Sequence, residues 1–532
     1  MLENVRPDPE NDASEIKLAF VASVAAAAAA FWLFHGLRQD DAYIAMQYAR
    51  NVATGHGFVF NQGDRVFGAT SPLHVLLLAG VYAIFGNVLE PAAILIGAAA
   101  VGAQAFLLFL LFRRTNTLLA WLLLGVTVSG LMGSYSYLAL ETNLLAALVL
   151  AAILCLEDGR ELLCGVFVGL AFLCRYDAVL LVPICVATWW WRTRVIPKRM
   201  LGAALIVVAP WLTWAFWYFN AFLPQTFWAK RGVSEPFGFL RATMTEFAKA
   251  PWAMLPNRVA RVFALTTPLF WLSGAFLLWR RAKQVLPLLI FGGILEIAYC
   301  LIGPPQTQFW HLYLAQMSAT LAFVAGLAGW FAFEEFWKRP MLAVRKPLLT
   351  AMATFVLLTG TQGTVLFARS YPTDFWWGHR YGRYVEVSTW LRQNVASGHA
   401  VLPFEVGTIG YLSGFRMVDP FGLINKIGQF DDQIEHVDAS DGWLAGVAKL
   451  AEWYHPDVLL VNSPDDGAFF EARSSFRMVK VFEWNPWSTL LVRSPDVLID
   501  PASFDRLRAE LPEQAHAIAN GNLITTDAAP LR

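Results

Sequence analysis

The sequence predicts an all-α polytopic membrane domain of about eleven transmembrane helices, followed by a C-terminal α/β domain outside the membrane. Three observations support this fold class. The 532 residues are 57% hydrophobic and 14% aromatic but only 15% charged, which is atypical of a soluble domain. Apolar runs recur up to residue 369 with short basic clusters between them. From residue 370 onward the composition is that of a globular domain.

Most of the apolar runs approach the roughly 20 residues that a helix needs to cross a bilayer. They occupy positions 16–36, 91–112, 117–137, 142–156, 162–174, 177–191, 200–219, 263–279, 284–303, 309–332 and 347–368. The apolar stretch 72–86 is expected to lie along or dip into the outer interface, because a crossing there would move every later basic cluster outside. Residues 162–191 are expected to form two short helices with Arg175 at their outer turn, because a single passage would bury Arg175 and Asp177 at mid-bilayer.

The basic clusters between the runs set the orientation of the chain. They are Arg113 and Arg114; Arg192, Arg194, Lys198 and Arg199; Arg280, Arg281 and Lys283; and Lys338, Arg339, Arg345 and Lys346. The positive-inside rule assigns them to the cytoplasm, together with the amino terminus. We therefore predict a multi-pass inner-membrane protein whose first run stays as a signal anchor. Its transmembrane domain covers 1–369, with outer loops 37–90 and 220–262, and its periplasmic domain covers 370–532.

The C-terminal domain shows both helical and strand patterns. VSTWLRQNV is amphipathic, AVLPF and DVLLVN are typical of buried strands, and MVKVFEW with TLLVRS predicts a hairpin. The formal net charge of zero argues against a nucleic-acid-binding protein. All five cysteines fall in apolar runs without a metal-type spacing, so neither a disulfide nor a zinc site is expected. The sequence shows no Gly-rich phosphate-binding loop, so a nucleotide cofactor is not expected.

An acidic pair, Asp40 and Asp41, comes directly after the first apolar run. Ile44, Tyr48 and Val52 then recur at a spacing of four residues, which predicts a short amphipathic helix on the outer surface. The two acids have two interpretations. They can be helix-start residues favoured by the helix dipole. Alternatively, neighbouring carboxylates near an apolar interface raise one another's pKa, which would suit one of them to accept a proton from a hydroxyl group.

The segment DDAYIAMQYARNVATGHGFVFNQGDRVFGATSPLHVLLL resembles the first outer loop of bacterial GT-C glycosyltransferases, in particular the group that contains mycobacterial-type terminal arabinofuranosyltransferases. YLALETNLL, CRYDAVLL and FNAFLPQTFWAKRG agree with that family in order, as do WLRQNV, VGTIGYLSG and DPFGL in the C-terminal part. The sequence departs from the family pattern at Gln225, where asparagine is usual, and at Phe67-Gly68-Ala69, which replaces a more usual Glu-Gly-Tyr.

The resemblance implies a GT-C enzyme of the bacterial inner membrane, with Asp40 as the base and Asp41 as the close second. It also implies a polyprenyl-phosphate-linked sugar donor and a glycan, lipid or protein acceptor of the cell envelope, with arabinofuranose as the first sugar to consider. Because a phosphate ester is already an activated leaving group, direct in-line displacement with inversion at the anomeric carbon is the simplest mechanism. Membrane lipids are further partners, and nucleic acid is not. No cofactor or metal site is expected, although a divalent cation could bridge the acidic pair and a phosphate.

The remaining candidate substrate-binding residues are Glu141, Arg175, Lys230, His56, Arg65, Gln225 and His311. Five of them have a simpler interpretation beside the functional one. Glu141 can start a helix instead of binding acceptor or sugar, and Arg175 can pair with Asp177 instead of binding the donor phosphate. Lys230 and Arg231 can be solvated loop residues instead of point charges near the donor phosphate.

His56 and Arg65 are candidate phosphate-binding residues of the first loop, and His56 between two glycines can also be a turn residue. His311 can be a buried, satisfied histidine. Two other function classes stay open. A flippase or transporter of lipid-linked sugars would explain membrane acids as a proton relay, although the sequence has no internal repeat. A membrane scaffold with a ligand-binding outer domain would not need the acidic pair.

Overall fold

A computed structural model describes residues 9–130, 134–229, 236–249, 258, 261, 264–302, 311–330, 347–348, 350–351, 354–355, 357–358, 360–365, 376–425, 443–482 and 488–512. The chain forms two compact units. The first unit contains Met1–Leu37, Thr70–Phe222 and Lys230–Phe375, and the second contains Arg38–Ala69, Leu223–Ala229 and Trp376–Arg532. The second unit thus includes two segments that precede residue 370, and the boundary drawn there from composition stays a prediction.

Helices dominate the described residues. They are α1 (Pro9–Phe34), α2 (Asp40–Ala53), α3 (Pro72–Phe85), α4 (Leu89–Arg113), α5 (Thr117–Val128), α6 (Thr142–Glu157), α7 (Glu161–Cys174), α8 (Leu181–Thr193), α9 (Lys198–Phe219), α10 (Thr226–Ala229), α11 (Pro236–Lys249), α12 (Thr267–Arg281), α13 (Leu286–Ile302), α14 (Tyr313–Val324), α15 (Trp376–Asn394), α16 (Gly407–Ser413), α17 (Trp443–Tyr454), α18 (Pro464–Arg473) and α19 (Phe504–Ala509).

Four helical segments in the described part of the chain are long and apolar enough to cross a membrane, judged by length and composition. They are Ala13–Phe34, Leu89–Arg113, Lys198–Phe219 and Lys283–Ile302. Shorter apolar helices occupy Pro72–Phe85, Thr117–Val128, Thr142–Glu157, Glu161–Cys174 and Tyr313–Gly329. The chain is therefore a helical protein with several apolar helices, while the count of eleven crossings stays a prediction.

The predicted break at Arg175 is confirmed. Helix α7 ends at Cys174, and Arg175 adopts an extended backbone with φ −156°. A short 3-10 helix, Tyr176–Leu180, then leads into α8. A single continuous helix would have placed both Arg175 and Asp177 along an apolar span, which is costly for charged groups.

The first unit is held together by close packing of its helices. Helix α4 packs against α1, α5 and α6, and α7 packs against both α6 and α9. Small residues allow the closest approaches. A β-carbon added at Gly165 of α7 would lie 2.1 Å from the carbonyl oxygen of Met200 in α9. At Gly274 of α12 it would lie 1.8 Å from the carbonyl oxygen of Ala322 in α14. Such small-residue contacts are typical of helices that pack within membranes.

The second unit contains a five-stranded mixed sheet in the order β2-β1-β3-β5-β4. Its strands are β1 (Ala400–Leu402), β2 (Arg416–Met417), β3 (Val458–Val461), β4 (Arg477–Phe482) and β5 (Ser488–Val492). Strand β1 is parallel to β2 and β3, whereas β5 is antiparallel to both β3 and β4. Strands β1, β3, β4 and β5 coincide with the apolar segments from which the sequence predicts strands and a hairpin, whereas β2 was not predicted.

Residues of the Arg38–Ala69 segment complete the edge of this sheet. The side chain of Asn61 donates from Nδ2 to the carbonyl oxygen of Met417 and accepts from its N–H at Oδ1, each at 2.9 Å. Asp64 also forms an ion pair of 3.0 Å with Arg416. Because β2 is an edge strand, Asn61 satisfies main-chain groups that would otherwise lack a strand partner. This pairing explains why Arg38–Ala69 folds with the C-terminal residues.

Candidate functional site

In the second unit, Asp40 is the first residue of α2, and its side chain reaches a distant helix. Its Oδ1 accepts a hydrogen bond of 2.7 Å from the N–H of Thr408, and its Oδ2 accepts one of 3.0 Å from the N–H of Gly407. Both donors belong to the first turn of α16. The N-cap of α2 is Gln39, whose side chain makes no capping hydrogen bond. Asp40 therefore binds the start of α16, which the helix-start interpretation did not anticipate.

Burial gives Asp40 an unusual proton affinity. The residue is 8% exposed, and this burial is the main reason why its pKa rises from 3.8 to about 6. The negative charge of Asp41 raises the pKa further, whereas the hydrogen bonds from Thr408 and Gly407 lower it. Asp41 itself is half-buried. A carboxylate with this pKa is ionised at neutral pH but is a stronger base than an ordinary aspartate.

A second buried acid, Asp419, lies in the same unit and is absent from the predicted site. Its carboxylate accepts the N–H of Phe421 at 2.9 Å and of Leu423 at 2.6 Å. Burial raises its pKa to about 6, and the charge of Asp40 adds to this effect. The side chain of Asn425 also bonds both main-chain groups of Asp419. Its sequence signal was the Asp-Pro-Phe-Gly run, which is typical of a turn closed by the aspartate side chain.

Gln225 joins the loop that Asp419 organises. Its Nε2 donates to the carbonyl oxygens of Gly422 and Asn425, both at 2.5 Å. Its main-chain N–H donates to the carbonyl oxygen of Phe67 at 2.7 Å. The side-chain amide of Gln225 is thus hydrogen-bonded to main-chain carbonyl oxygens of the protein itself. Its predicted role in substrate binding stays a prediction.

Two other predicted residues of the first outer loop lie on the surface of the second unit. His56 is exposed, with its Nδ1 2.8 Å from the hydroxyl of Thr54, an arrangement that fits a turn residue. Arg65 is exposed as well. By contrast, Arg50 in α2 is partly buried, donates to the carbonyl oxygen of Tyr411 at 3.0 Å, and places its guanidinium 4.6 Å from the centre of the Tyr411 ring. Arg50 was not predicted as a site residue.

In the first unit, Arg175 lies at the centre of a polar cluster. Its guanidinium forms an ion pair with Asp177 and donates to the hydroxyl of Tyr299 at 3.0 Å. It also lies 3.4 Å from the carbonyl oxygen of His311. The Tyr299 hydroxyl donates to Asp177 at 3.0 Å, and the Tyr299 and His311 rings stack with centroids 5.5 Å apart. The structure therefore brings Arg175 and His311 together, and the alternative pairing of Arg175 with Asp177 is present.

Glu141 belongs to the same unit as this cluster. It is the residue before α6, it is 8% exposed, and its side chain makes no capping hydrogen bond. Its charge interacts with the Arg175 guanidinium. Glu141 is thus a second acidic residue, besides Asp177, whose charge acts on Arg175. The expectation that Glu141 and Asp40 act on the same substrate stays a prediction.

Lys230 and the neighbouring Arg231 lie outside the described residues, so their predicted contact with the donor phosphate stays a prediction. Within the described ranges, His, Cys, Asp and Glu side chains do not converge in a group of three that could hold a metal ion. The expectation of a metal-independent reaction is likewise untested.

Family models match two segments of the chain, and solved structures are similar to most of its length. Residues 69–214 match the family described as dolichyl-phosphate-mannose-protein mannosyltransferase, and residues 374–503 match a domain of unknown function, DUF8728. A search of curated protein sequences found no match. Among solved structures, the chain is similar to ArnT from Cupriavidus metallidurans, both bound to undecaprenyl phosphate and in the apo state.

Each ArnT structure is 14% identical to this chain, with a TM-score of 0.55, and the similarity covers 89% of this chain and 97% of ArnT. At this identity the similarity is one of fold. Together with the family match, it confirms that the chain resembles the GT-C glycosyltransferases, in sequence over residues 69–214 and in fold over most of its length.

Proposed function

We propose that this chain is an inverting glycosyltransferase that moves a sugar from a polyprenyl-phosphate donor to a cell-envelope glycan, lipid or protein at the periplasmic face of the inner membrane. The observation that carries the proposal is Asp40, a buried carboxylate with a pKa of about 6, in a chain with an ArnT-like fold. The undecaprenyl phosphate bound to ArnT supports the class of donor.

The proposed reaction is a single in-line displacement. The acceptor hydroxyl oxygen forms a bond to the anomeric carbon while the bond between that carbon and the phosphate oxygen breaks. The polyprenyl phosphate leaves with the bonding electron pair, and the hydroxyl proton passes to a carboxylate. One displacement inverts the configuration at the anomeric carbon.

Asp40 is our first choice for the base. Its carboxylate accepts the N–H groups of Gly407 and Thr408 and also interacts with the Thr408 side chain. Because a carboxylate offers about four acceptor positions, one remains for a hydroxyl proton. The two N–H groups fix the orientation of the carboxylate. Asp41 would tune the pKa of Asp40 through its charge and is the second choice for the base.

We assign Arg175 to the donor phosphate. The guanidinium already binds an anion, the Asp177 carboxylate, and guanidinium groups bind carboxylate and phosphate with similar geometry. A phosphate would replace Asp177 as the partner of Arg175. Lys230 would add a further positive charge, and Glu141 and His311 would bind the sugar or the acceptor.

Transfer can be tested directly with purified protein. Radiolabelled polyprenyl-phosphate sugars, arabinofuranose first, would be incubated with extracted acceptor glycans, with and without a chelator of divalent cations. We expect label in the acceptor, an inverted anomeric linkage and release of polyprenyl phosphate. Movement of the lipid-linked sugar across liposomes without any transfer would instead identify a flippase. Binding without either activity would identify a scaffold.

A further inference from the structure

Three large apolar side chains of the second unit are exposed around one hydrogen-bonded junction, and we infer that they contact the lipids of the outer leaflet. Leu223 is 40% exposed, Phe227 38% and Phe421 48%. These three residues are called the outer apolar patch. The inference goes beyond the proposed reaction, because it concerns where the unit meets the bilayer.

The junction at Gln225 brings these residues together from distant parts of the sequence. Leu223 and Phe227 are each two residues from Gln225, whose Nε2 bonds the carbonyl oxygen of Gly422, next to Phe421. The second bond of Nε2, to Asn425, closes the same loop. A single amide therefore fixes both segments that carry the patch.

Close packing supports this junction from beneath. A β-carbon added at Gly68 would lie 2.4 Å from the carbonyl oxygen of Leu423. The main-chain carbonyl of the same glycine accepts the hydroxyl of Thr226 at 2.8 Å. The loop that carries Phe421 is thus held on one side by the chain around Gly68, which leaves the Phe421 ring outward.

The sequence before Leu223 identifies lipid as the contact. Leu223 follows the last residue of the candidate span Lys198–Phe219 by four residues. Four residues extend at most about 14 Å. The end of that span exposes Trp217 by 76%, and Phe222 is exposed by 54%. Tryptophan is enriched at membrane–water interfaces, and Leu223 of the patch directly follows Phe222 in the sequence.

Spin labels can test the contact without any measurement of turnover. The five native cysteines, which are buried, would be replaced by alanine. Leu223→Cys, Phe227→Cys and Phe421→Cys would each carry a nitroxide in lipid nanodiscs. Ile499→Cys is the matched control, because Ile499 is 58% exposed in the same unit but lies away from the junction in sequence.

We expect the three patch labels to collide several-fold more often with oxygen, relative to a water-soluble nickel chelate, than the Ile499→Cys label does. Equal ratios of oxygen to nickel collisions at all four labels would identify water as the contact, and few collisions with either reagent at the patch labels would identify another protein. Either result would overturn the inference. Adding Gln225→Ala should expose the Phe421→Cys label to nickel and leave the Ile499→Cys label unchanged. Because no sugar transfer is measured, failure here would leave the proposed reaction standing.

Discussion

Two regions of the molecule hold their ionised groups in different ways. The carboxylate of Asp40 is bound by main-chain N–H groups of Gly407 and Thr408. The guanidinium of Arg175 is bound chiefly by the side chains of Asp177 and Tyr299, with a longer contact of 3.4 Å to the main-chain carbonyl oxygen of His311. Main-chain donors are fixed by the fold, whereas side chains can change rotamer and partner. The comparison suggests that a fixed carboxylate suits a base, and an exchangeable ion pair suits a group that must bind and release an anion.

The largest expected effect is that of Asp40→Asn on the rate of sugar transfer. Loss of a general base typically slows a reaction by about 100 to 10,000-fold. Asparagine also offers one acceptor oxygen to two N–H donors, so the free energy of unfolding should fall by about 1–3 kcal/mol. Single-turnover transfer and thermal unfolding in detergent would measure the two effects separately.

Asp419→Asn is the matched control, because Asp419 is also buried and also accepts main-chain N–H groups. It should lose similar stability but keep its transfer rate within about tenfold of the unmodified protein. If both variants lose transfer equally, the loss follows from structural damage and Asp40 is not the base. If Asp41→Asn is inactive while Asp40→Asn transfers sugar normally, the two acids have exchanged roles.

The next largest effect should distinguish Arg175 from its partner. Arg175→Gln should raise the KM for the lipid donor by about 10 to 100-fold, because a hydrogen bond to a charged group contributes about 1.5–3 kcal/mol. Asp177→Asn removes the competing anion and should leave that KM unchanged or lower it. Steady-state kinetics with donor and acceptor varied separately would show whether the change is confined to the donor. An equal rise in both variants would mean that the ion pair is structural.

The sequence predicted those features of the two regions that depend on residues close together in the chain. The apolar runs on either side of Arg175 and the charges between them were enough to place a break there, and the helix after the acidic pair followed from its periodicity. Both features depend on residues within a few turns of one another. The assignment of Asp177 as an alternative partner of Arg175 came from the same short range.

The partners of Asp40 could not be predicted, because its hydrogen bonds span 367 and 368 residues and leave no periodic signal. For the same reason the hydrogen bonds of the Gln225 amide to Gly422 and Asn425 could not be predicted, while its role in substrate binding stays a prediction. Asp419 was missed although its turn sequence is recognisable. A turn signature indicates local backbone shape but does not show that the turn is buried beside another acid.

A smaller effect concerns the pH dependence of transfer. If Asp40 is the base, kcat/KM should fall about tenfold per pH unit below its pKa of about 6, because the protonated acid cannot accept a proton. Asp41→Asn removes a like charge that raises the pKa of Asp40, so the acidic limb should move to lower pH. Profiles of kcat/KM for the acceptor would measure the shift. A limb that stays in place would show that Asp41 does not tune this group.

The stability of the folded protein should change with pH in the opposite sense. Burial raises the pKa of both Asp40 and Asp419 above their ordinary value of 3.8 to about 6, so the folded chain binds protons more tightly than the unfolded chain. These two groups should therefore contribute most to the free energy of unfolding below pH 3.8. Their contribution should be lost as the pH rises through 6. Asp419→Asn should reduce this dependence without moving the acidic limb of kcat/KM as far as Asp41→Asn does.

The smallest effect tests why the Asp40 region folds with the C-terminal residues. Asn61→Ala removes two side-chain hydrogen bonds to Met417 and leaves main-chain groups of an edge strand without their partner. We expect a loss of about 1–3 kcal/mol in the free energy of unfolding and faster exchange of the Met417 amide hydrogen. Asp64→Asn is the control, because the Arg416 side chain in that ion pair is 58% exposed and such pairs contribute about 0–1 kcal/mol. Unchanged protection of the Met417 amide in Asn61→Ala would mean that Asn61 is not what holds Arg38–Ala69 to the sheet. The hydrogen bonds of Asp40 to α16 and of Arg50 to Tyr411 would then carry that role.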